Sequence, residues 1–289
     1  MRMIAWFWAV LGMLASSTAL ADQVSCRQDS LRISIIPVKD MSQLIEEYQP
    51  LADLLSRGLG KPVRLLHANS YDGVIDAAVS GGTDIAVMGP ASYLKAWRLN
   101  PAIEPFGTLP PASGHFSPGG GYYNSLLLVR SDSGLSDVAD LRGRRVALND
   151  PLSTSGALVP MHAFADAIGE PFGSYFSGQV YAGSHDRALD VLLAGKVDAA
   201  FVSSARADEY LKRGLIGKDT LRLLWRSAPI HYDPLVFTTA VCEELKQRIR
   251  TLLATPSPEL DRFLKSQQAT RVMPIGHEAY EMLLPLLVE

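Results

Sequence analysis

The chain has 289 residues with a formal net charge of -3; 20% of its side chains are charged and 47% hydrophobic. That length can bury a sizeable core and lies where one core often divides into two lobes, while a mildly acidic chain without a basic block makes a poor nucleic-acid binder. Two cysteines, Cys26 and Cys242, exclude a disulfide-dense scaffold.

Residues 1–21, MRMIAWFWAVLGMLASSTALA, carry Arg2, a short apolar run and the A-x-A pattern Ala19-Leu20-Ala21. This reads as a secretory signal peptide cleaved before Asp22. The competing reading, a membrane anchor, meets an apolar span at the short limit for crossing a bilayer. Loss of Arg2 takes the net charge of the mature chain from -3 to -4. An exported chain permits a Cys26–Cys242 disulfide tying its N-terminus to a late helix; two separate thiols are the alternative. The residues before Cys26, Gln23-Val24-Ser25, lack the small apolar pattern of a lipoprotein site.

From Leu31, LRISIIP reads as a strand, followed by a helical pattern from about Ser42 to Leu59, punctuated by Pro50 and stopped by Gly58 and Gly60. PVRLLHA, then YDGVIDAAVSGG, TDIAVMGP and SYLKAWRL continue as strand, helix, strand and helix. This alternation predicts a parallel α/β sheet. PPASGHFSPGGG, from Pro110 to Gly121, is the most turn-rich segment. After it, YNSLLLV and GRRVAL read as strands, and DPLSTSG opens a helix running to about Ile168. SYFSGQVYAG, SHDRALDVLLAG and KVDAAFVSS repeat the theme; LRLLWRS and PLVFTTA are late strands, and helices from about Glu243 close the chain. Two α/β series with a return near Arg226 to Asp233 give two lobes joined by two crossings, the layout of a hinge-closing binder. The expected division is a signal peptide over 1–21, a first lobe over 22–115 and 226–289, and a second over 116–225.

Two segments carry candidate chemistry. In DPLSTSG, a helix start supplies unpaired N–H groups and partial positive charge. Ser153, Thr154 and Ser155 add directional donors that could surround a tetrahedral oxyanion, and Gly156 leaves room for a ligand to approach the backbone. Plain capping explains only one of the three hydroxyls. Pro160 falls in the early turns, where a missing N–H costs least. In AGSHDRAL, His185 opens another helix and can donate to an anion. Asp186 beside it can read a proton retained on a phosphorus oxyanion, which sulfate lacks; its alternative role is a helix-start charge.

Taken together, IIP, Tyr48-x-Pro50-Leu51, SYDGVIDAAVSGGTDIAVMGPASY, YYNSLLLVRSDSG, DLRGRRVALNDPLSTSG, AGSHDRAL and SAPIHYDP resemble the phosphonate/phosphite/phosphate-type solute-binding proteins of ABC importers. The resemblance runs from about Leu31 to beyond Pro234. It implies a type II periplasmic binding protein with two α/β lobes, each a mixed, mostly parallel sheet flanked by helices. It implies that Ser153, Thr154 and Ser155 grip phosphorus oxygens and that His185 donates to the same group. Tyr71 and Tyr123 are implied as aromatic contacts, with Tyr122 as the substitute if the register shifts by one, and Asp233 as an acid on the ligand's far side. Members that read an aminoalkyl phosphonate carry a further acid just beyond the VDAAF-type strand, where this chain reads Ser203-Ser204-Ala205. His231 and Tyr232 make a bulkier wall than the family's usual proline or small residue. The implied protein is a periplasmic monomer that carries a small phosphorus oxyanion to a membrane permease; no cofactor is implied.

Other classes find less support. Ser92-x-x-Lys95 matches the S-x-x-K of penicillin-binding enzymes, but K-T-G and S-D-N are absent, as are G-x-S-x-G and H-E-x-x-H. The six histidines lack metal-ligand spacing. A receptor serving a membrane sensor, or a binder of a sulfonate or vitamin precursor, would share the fold.

Overall fold

The computed structural model describes Cys26 and residues 28–287. The expected signal peptide and its cleavage point lie outside the described residues. Among the described residues, no helix is long and apolar enough to cross a membrane.

The first half of the chain alternates β1 (Leu31–Ile35), α1 (Met41–Leu59), β2 (Val63–Leu66), α2 (Tyr71–Ser80), β3 (Ile85–Val87), α3 (Pro90–Leu99) and β4 (Glu104–Thr108). Asp40 caps α1 by accepting from the Ser42 and Gln43 amides, and Gly60 ends it in the left-handed conformation at φ 67°. Gly58 is no stop signal: it lies inside α1, where any Cβ would run into Leu252. Pro50 is also inside this helix, which continues through it.

After the turn-rich segment come β5 (Tyr122–Tyr123), β6 (Ser125–Arg130) and β7 (Arg145–Leu148). Two wide turns, Thr154–Leu158 and Pro160–Phe164, then run into α4 (Ala165–Ile168). Next are α5 (Phe172–Tyr175), β8 (Gly178–Tyr181), α6 (His185–Leu193), β9 (Ala199–Ser203), α7 (Ser204–Lys212) and β10 (Leu221–Arg226). The last elements are β11 (Ile230–His231), β12 (Pro234–Phe237), α8 (Glu243–Ala254) and α9 (Pro258–Ser266).

Two five-stranded sheets result, ordered β2-β1-β3-β12-β4 and β10-β6-β9-β7-β8. In each, four strands share one direction, and the reversed strand is the one that enters after a crossing, β12 or β6. The mixed, mostly parallel α/β character expected from the alternation is therefore present in both sheets. The two crossings pair with each other as a short ribbon, β5 against β11. That ribbon and β4 were not legible as strands.

Each sheet is apolar on both faces, as a sheet covered on both sides by helices must be. In the first, Leu31, Ile33, Ile35, Leu235 and Phe237 pack under α1, α8 and α9, while Ala86, Met88 and Val236 face α2 and α3. In the second, Leu126, Leu128, Ala200 and Val202 meet α6 and α7, while Leu127, Val129 and Phe201 meet an aromatic cluster around Phe164. Cys26 and Cys242 are bonded, with Cα atoms 6.0 Å apart, fastening the chain ahead of β1 to the start of α8.

Candidate functional site

The loops at the facing edges of the two sheets meet. The Ala91 amide at the start of α3 donates to Thr154 Oγ1 at 2.9 Å, Ser92 Oγ donates to the Leu152 carbonyl at 3.0 Å, and the His185 amide donates to the Val38 carbonyl at 3.2 Å. Ser92 is thereby committed to the closed interface and Lys95 to an ion pair with Asp72, so the S-x-x-K spacing has a structural explanation. Between the lobes lies a cavity of about 40 Å³, with room for about three waters. It is lined from the first lobe and the crossings by Ile36, Val38, Tyr71, Gly89, Tyr123, Tyr232 and Asp233. The second lobe contributes Ser153, Thr154, Ser155, His185, Ser203 and Arg206.

The three hydroxyls have different duties. Ser153 is the helix cap: its Oγ accepts from the Gly156 amide at 3.1 Å. Thr154 Oγ1 takes the Ala91 amide of the opposite lobe. Ser155 is buried on the cavity wall and its carbonyl accepts from Ser125 Oγ at 2.6 Å. The turns that follow are wider than α: the Leu158 amide reaches the Ser153 carbonyl, and the Val159 amide that of Thr154. Pro160 enters this widened stretch, where i→i+5 bonding accommodates its missing N–H. Gly156 is required for a different reason than ligand approach, because any Cβ there would overlap Asn149 Nδ2. Asn149 in turn packs against the His185 ring.

His185 is buried, and the Ser203 amide donates to its Nδ1 at 3.1 Å. With Nδ1 accepting, the neutral ring carries its hydrogen on Nε2, the nitrogen 3.5 Å from Ser153 Oγ. Burial first, and the Arg206 charge second, depress its pKa to about 3, so it stays a neutral donor throughout the neutral range.

Tyr71 is buried, and its hydroxyl has no hydrogen-bond partner among the described residues. Tyr123 is buried too, stacked edge-on to Tyr232 with ring centroids 5.6 Å apart. Burial raises the pKa of each phenol, so all three remain donors. Tyr122 is exposed, packs against His231 and lines no part of the cavity, so of the two neighbouring tyrosines Tyr123 is the one on its wall. Burial also raises the Asp233 carboxyl to about pKa 7, so near neutrality it is half protonated.

Of its two expected roles Asp186 takes the second, a charge in the first turn of α6, and does not line the cavity. Its carboxylate faces away from the cavity and accepts from Arg206 Nε at 3.1 Å and Nη2 at 2.8 Å. The acid that does face the cavity is Asp233. Arg206 itself was not singled out from the sequence. It is the third residue of α7, immediately after Ser203-Ser204-Ala205, and an arginine on a surface-facing helix pattern carries no local mark of being turned inward. Seven of the eight residues singled out thus line one cavity, and the eighth orients an unanticipated cation.

A family model described as ABC transporter, phosphonate, periplasmic substrate-binding protein matches residues 33–280. The chain is 26% identical over 258 residues to the phosphate-import protein PhnD of Mycolicibacterium smegmatis, covering 85% of this chain and 79% of that one. It is 31% identical over 248 residues to the phosphonates-binding periplasmic protein of Escherichia coli, covering 83% and 70%. Its fold is similar to that of PhnD1 from Prochlorococcus marinus, solved in complex with methylphosphonate. There the TM-score is 0.77 at 17% identity, over 89% of this chain and 97% of that one. The two lobes are those of type II periplasmic binding proteins, and the chain belongs to the periplasmic phosphonate-binding family, the substrate-binding components of ABC transporters.

Proposed function

We propose that the mature chain, cleaved after Ala21, is a monomer that captures one small phosphorus oxyanion in the cavity and presents it to its permease without transforming it. Lobes over 22–115 with 226–289 and over 116–225 close on the ligand about the crossings. Ser153, Thr154 and Ser155 surround its oxygens together with His185 Nε2–H and the hydroxyls of Tyr71 and Tyr123, while Asp233 meets a protonated oxygen. The supporting observation is that these neutral donors, from both lobes, converge on a cavity of about 40 Å³. Several neutral dipoles sharing a buried anion offset its desolvation without a bound metal ion.

A thermal-shift panel of phosphite, methylphosphonate, phosphate and sulfate on the mature protein tests this. A ligand at a hundred times its Kd adds about 2.7 kcal/mol, a rise of several degrees in Tm. The reading expects that rise with at least one phosphorus compound and none with sulfate. An equal rise with sulfate, or no rise with any, overturns it.

A further inference from the structure

Two hollows lie side by side between the lobes. The first is the 40 Å³ cavity. The second is a polar cleft of about 630 Å³, whose walls include Lys39, Asp150, Ser184, Asp186, Arg187 and Tyr210. Arg206 lines only the first and Asp186 only the second, so their ion pair stands between them. The side chains are 12% and 14% exposed, and both sit near helix starts of the same lobe. Tyr210, one turn further along α7, shares its single hydroxyl proton between the Asp186 carbonyl at 3.0 Å and Asp190 Oδ1 at 2.9 Å, bracing α6 against α7 behind the pair.

The partition is also charged. Arg206 commits Nε and Nη2 to one oxygen of Asp186, and Nη1 makes no hydrogen bond to the described residues. Across the lobe junction, buried Lys39 is paired with Glu47 and feels Arg206 strongly enough to lower its own pKa, after burial as the larger cause. The pair is neutral as a whole, but it turns its cationic half to the cavity and its carboxylate to the cleft, whereas an ammonium-bearing ligand would need the carboxylate on the cavity side.

Resting on the reading that the cavity takes a phosphorus oxyanion, we propose that the Arg206–Asp186 pair limits the group carried by the phosphorus to hydrogen, hydroxyl or methyl. Longer chains meet the guanidinium, and chains ending in an ammonium are excluded most strongly. Asp186 acts as a positioning residue for Arg206.

Calorimetric titrations with methylphosphonate, propylphosphonate and 2-aminoethylphosphonate separate size from charge, because the last two chains are equal in length. Wild type is expected to prefer methyl over propyl by about 100-fold, about tenfold for each of the two surplus methylenes, and over aminoethyl by more. Arg206→Ala opens the wall into the larger cleft and raises the propyl-to-methyl affinity ratio by about tenfold or more. Arg206→Met keeps the bulk and removes the charge. It raises the aminoethyl-to-propyl ratio while propyl stays disfavoured, and it serves as the second variant if the alanine protein unfolds. Asp186→Asn loosens the size limit and Asp186→Glu restores it, which a merely structural acid would not produce.

A wild-type protein that binds propyl as tightly as methyl, or an Arg206→Ala protein with an unchanged ranking, overturns the inference alone. A folded wild-type protein that binds none of the three, nor phosphite, nor phosphate, overturns the inference together with the reading beneath it.

Discussion

Replacing Ser153 and Thr154 together with alanine separates anion binding from folding. Ser153 caps a helix through the Gly156 amide, so its loss costs about 0.5–2 kcal/mol of stability. Thr154 Oγ1 accepts from the Ala91 amide of the other lobe. When the lobes part, water takes its place, so this loss falls on closure rather than on folding. The folding cost is thus that of one cap, and Tm should fall by a few degrees, since 1 kcal/mol moves a domain of this size by about 2–4 °C. Binding loses far more. Each hydroxyl hydrogen bond to a charged group is worth about 1.5–3 kcal/mol, and the Ala91 N–H left unpaired in the closed form adds about 1–3 kcal/mol. The sum corresponds to at least a thousandfold loss in affinity. Titration calorimetry with methylphosphonate reads the affinity, and circular dichroism on the same samples reads the fold. An affinity within tenfold of wild type, with the fold intact, would refute the assignment of these hydroxyls.

Two further outcomes follow from other parts of the structure. Asp233, held near pKa 7 by burial, is a neutral donor below that pH and a repelling carboxylate above it. Affinity should therefore fall through pH 7 to 8.5 more steeply in wild type than in Asp233→Asn, by up to about tenfold per pH unit; parallel profiles would contradict this. Cys242→Ser releases a bond closing a separation of 216 residues, worth about 5 kcal/mol by loop entropy, and should lower Tm by roughly 10–20 °C, with ligand affinity unchanged because the bond lies behind the first lobe's core; a loss of affinity would show that the bond also shapes the site.

Much of this architecture is legible in the chain because its signals are local. Strands such as LLLV and AAFV are short apolar runs, and the helices between them are amphipathic and end at glycines such as Gly60 and Gly81. The STS triplet is legible for the same reason: three adjacent hydroxyls exceed what one cap needs. What escaped depends on partners distant in sequence. β4, interrupted by Pro105 and Gly107, is a strand only because β12 arrives far later in the chain to pair with it, as Thr108 opposite Pro234 shows. The β5–β11 ribbon is two residues wide on each side, too short for any periodicity. Gly156 reads as a gap for a ligand until Asn149 is seen to fill it. Asp186 and Arg206 lie on different helices, 20 residues apart, and nothing in either segment shows that one faces the other across the end of the cavity.

The most direct measurement is a crystal structure of the mature protein grown with methylphosphonate. The account predicts closed lobes with phosphorus between them. Its oxygens should lie within hydrogen-bond reach of Ser153, Thr154, Ser155 and His185 Nε2, with Tyr71 and Tyr123 donating and the methyl group directed at Arg206. Phosphorus density in the outer cleft beside Lys39 and Arg187, or closed lobes with an anion that contains no phosphorus held by these same donors while methylphosphonate stays in solution, would contradict it.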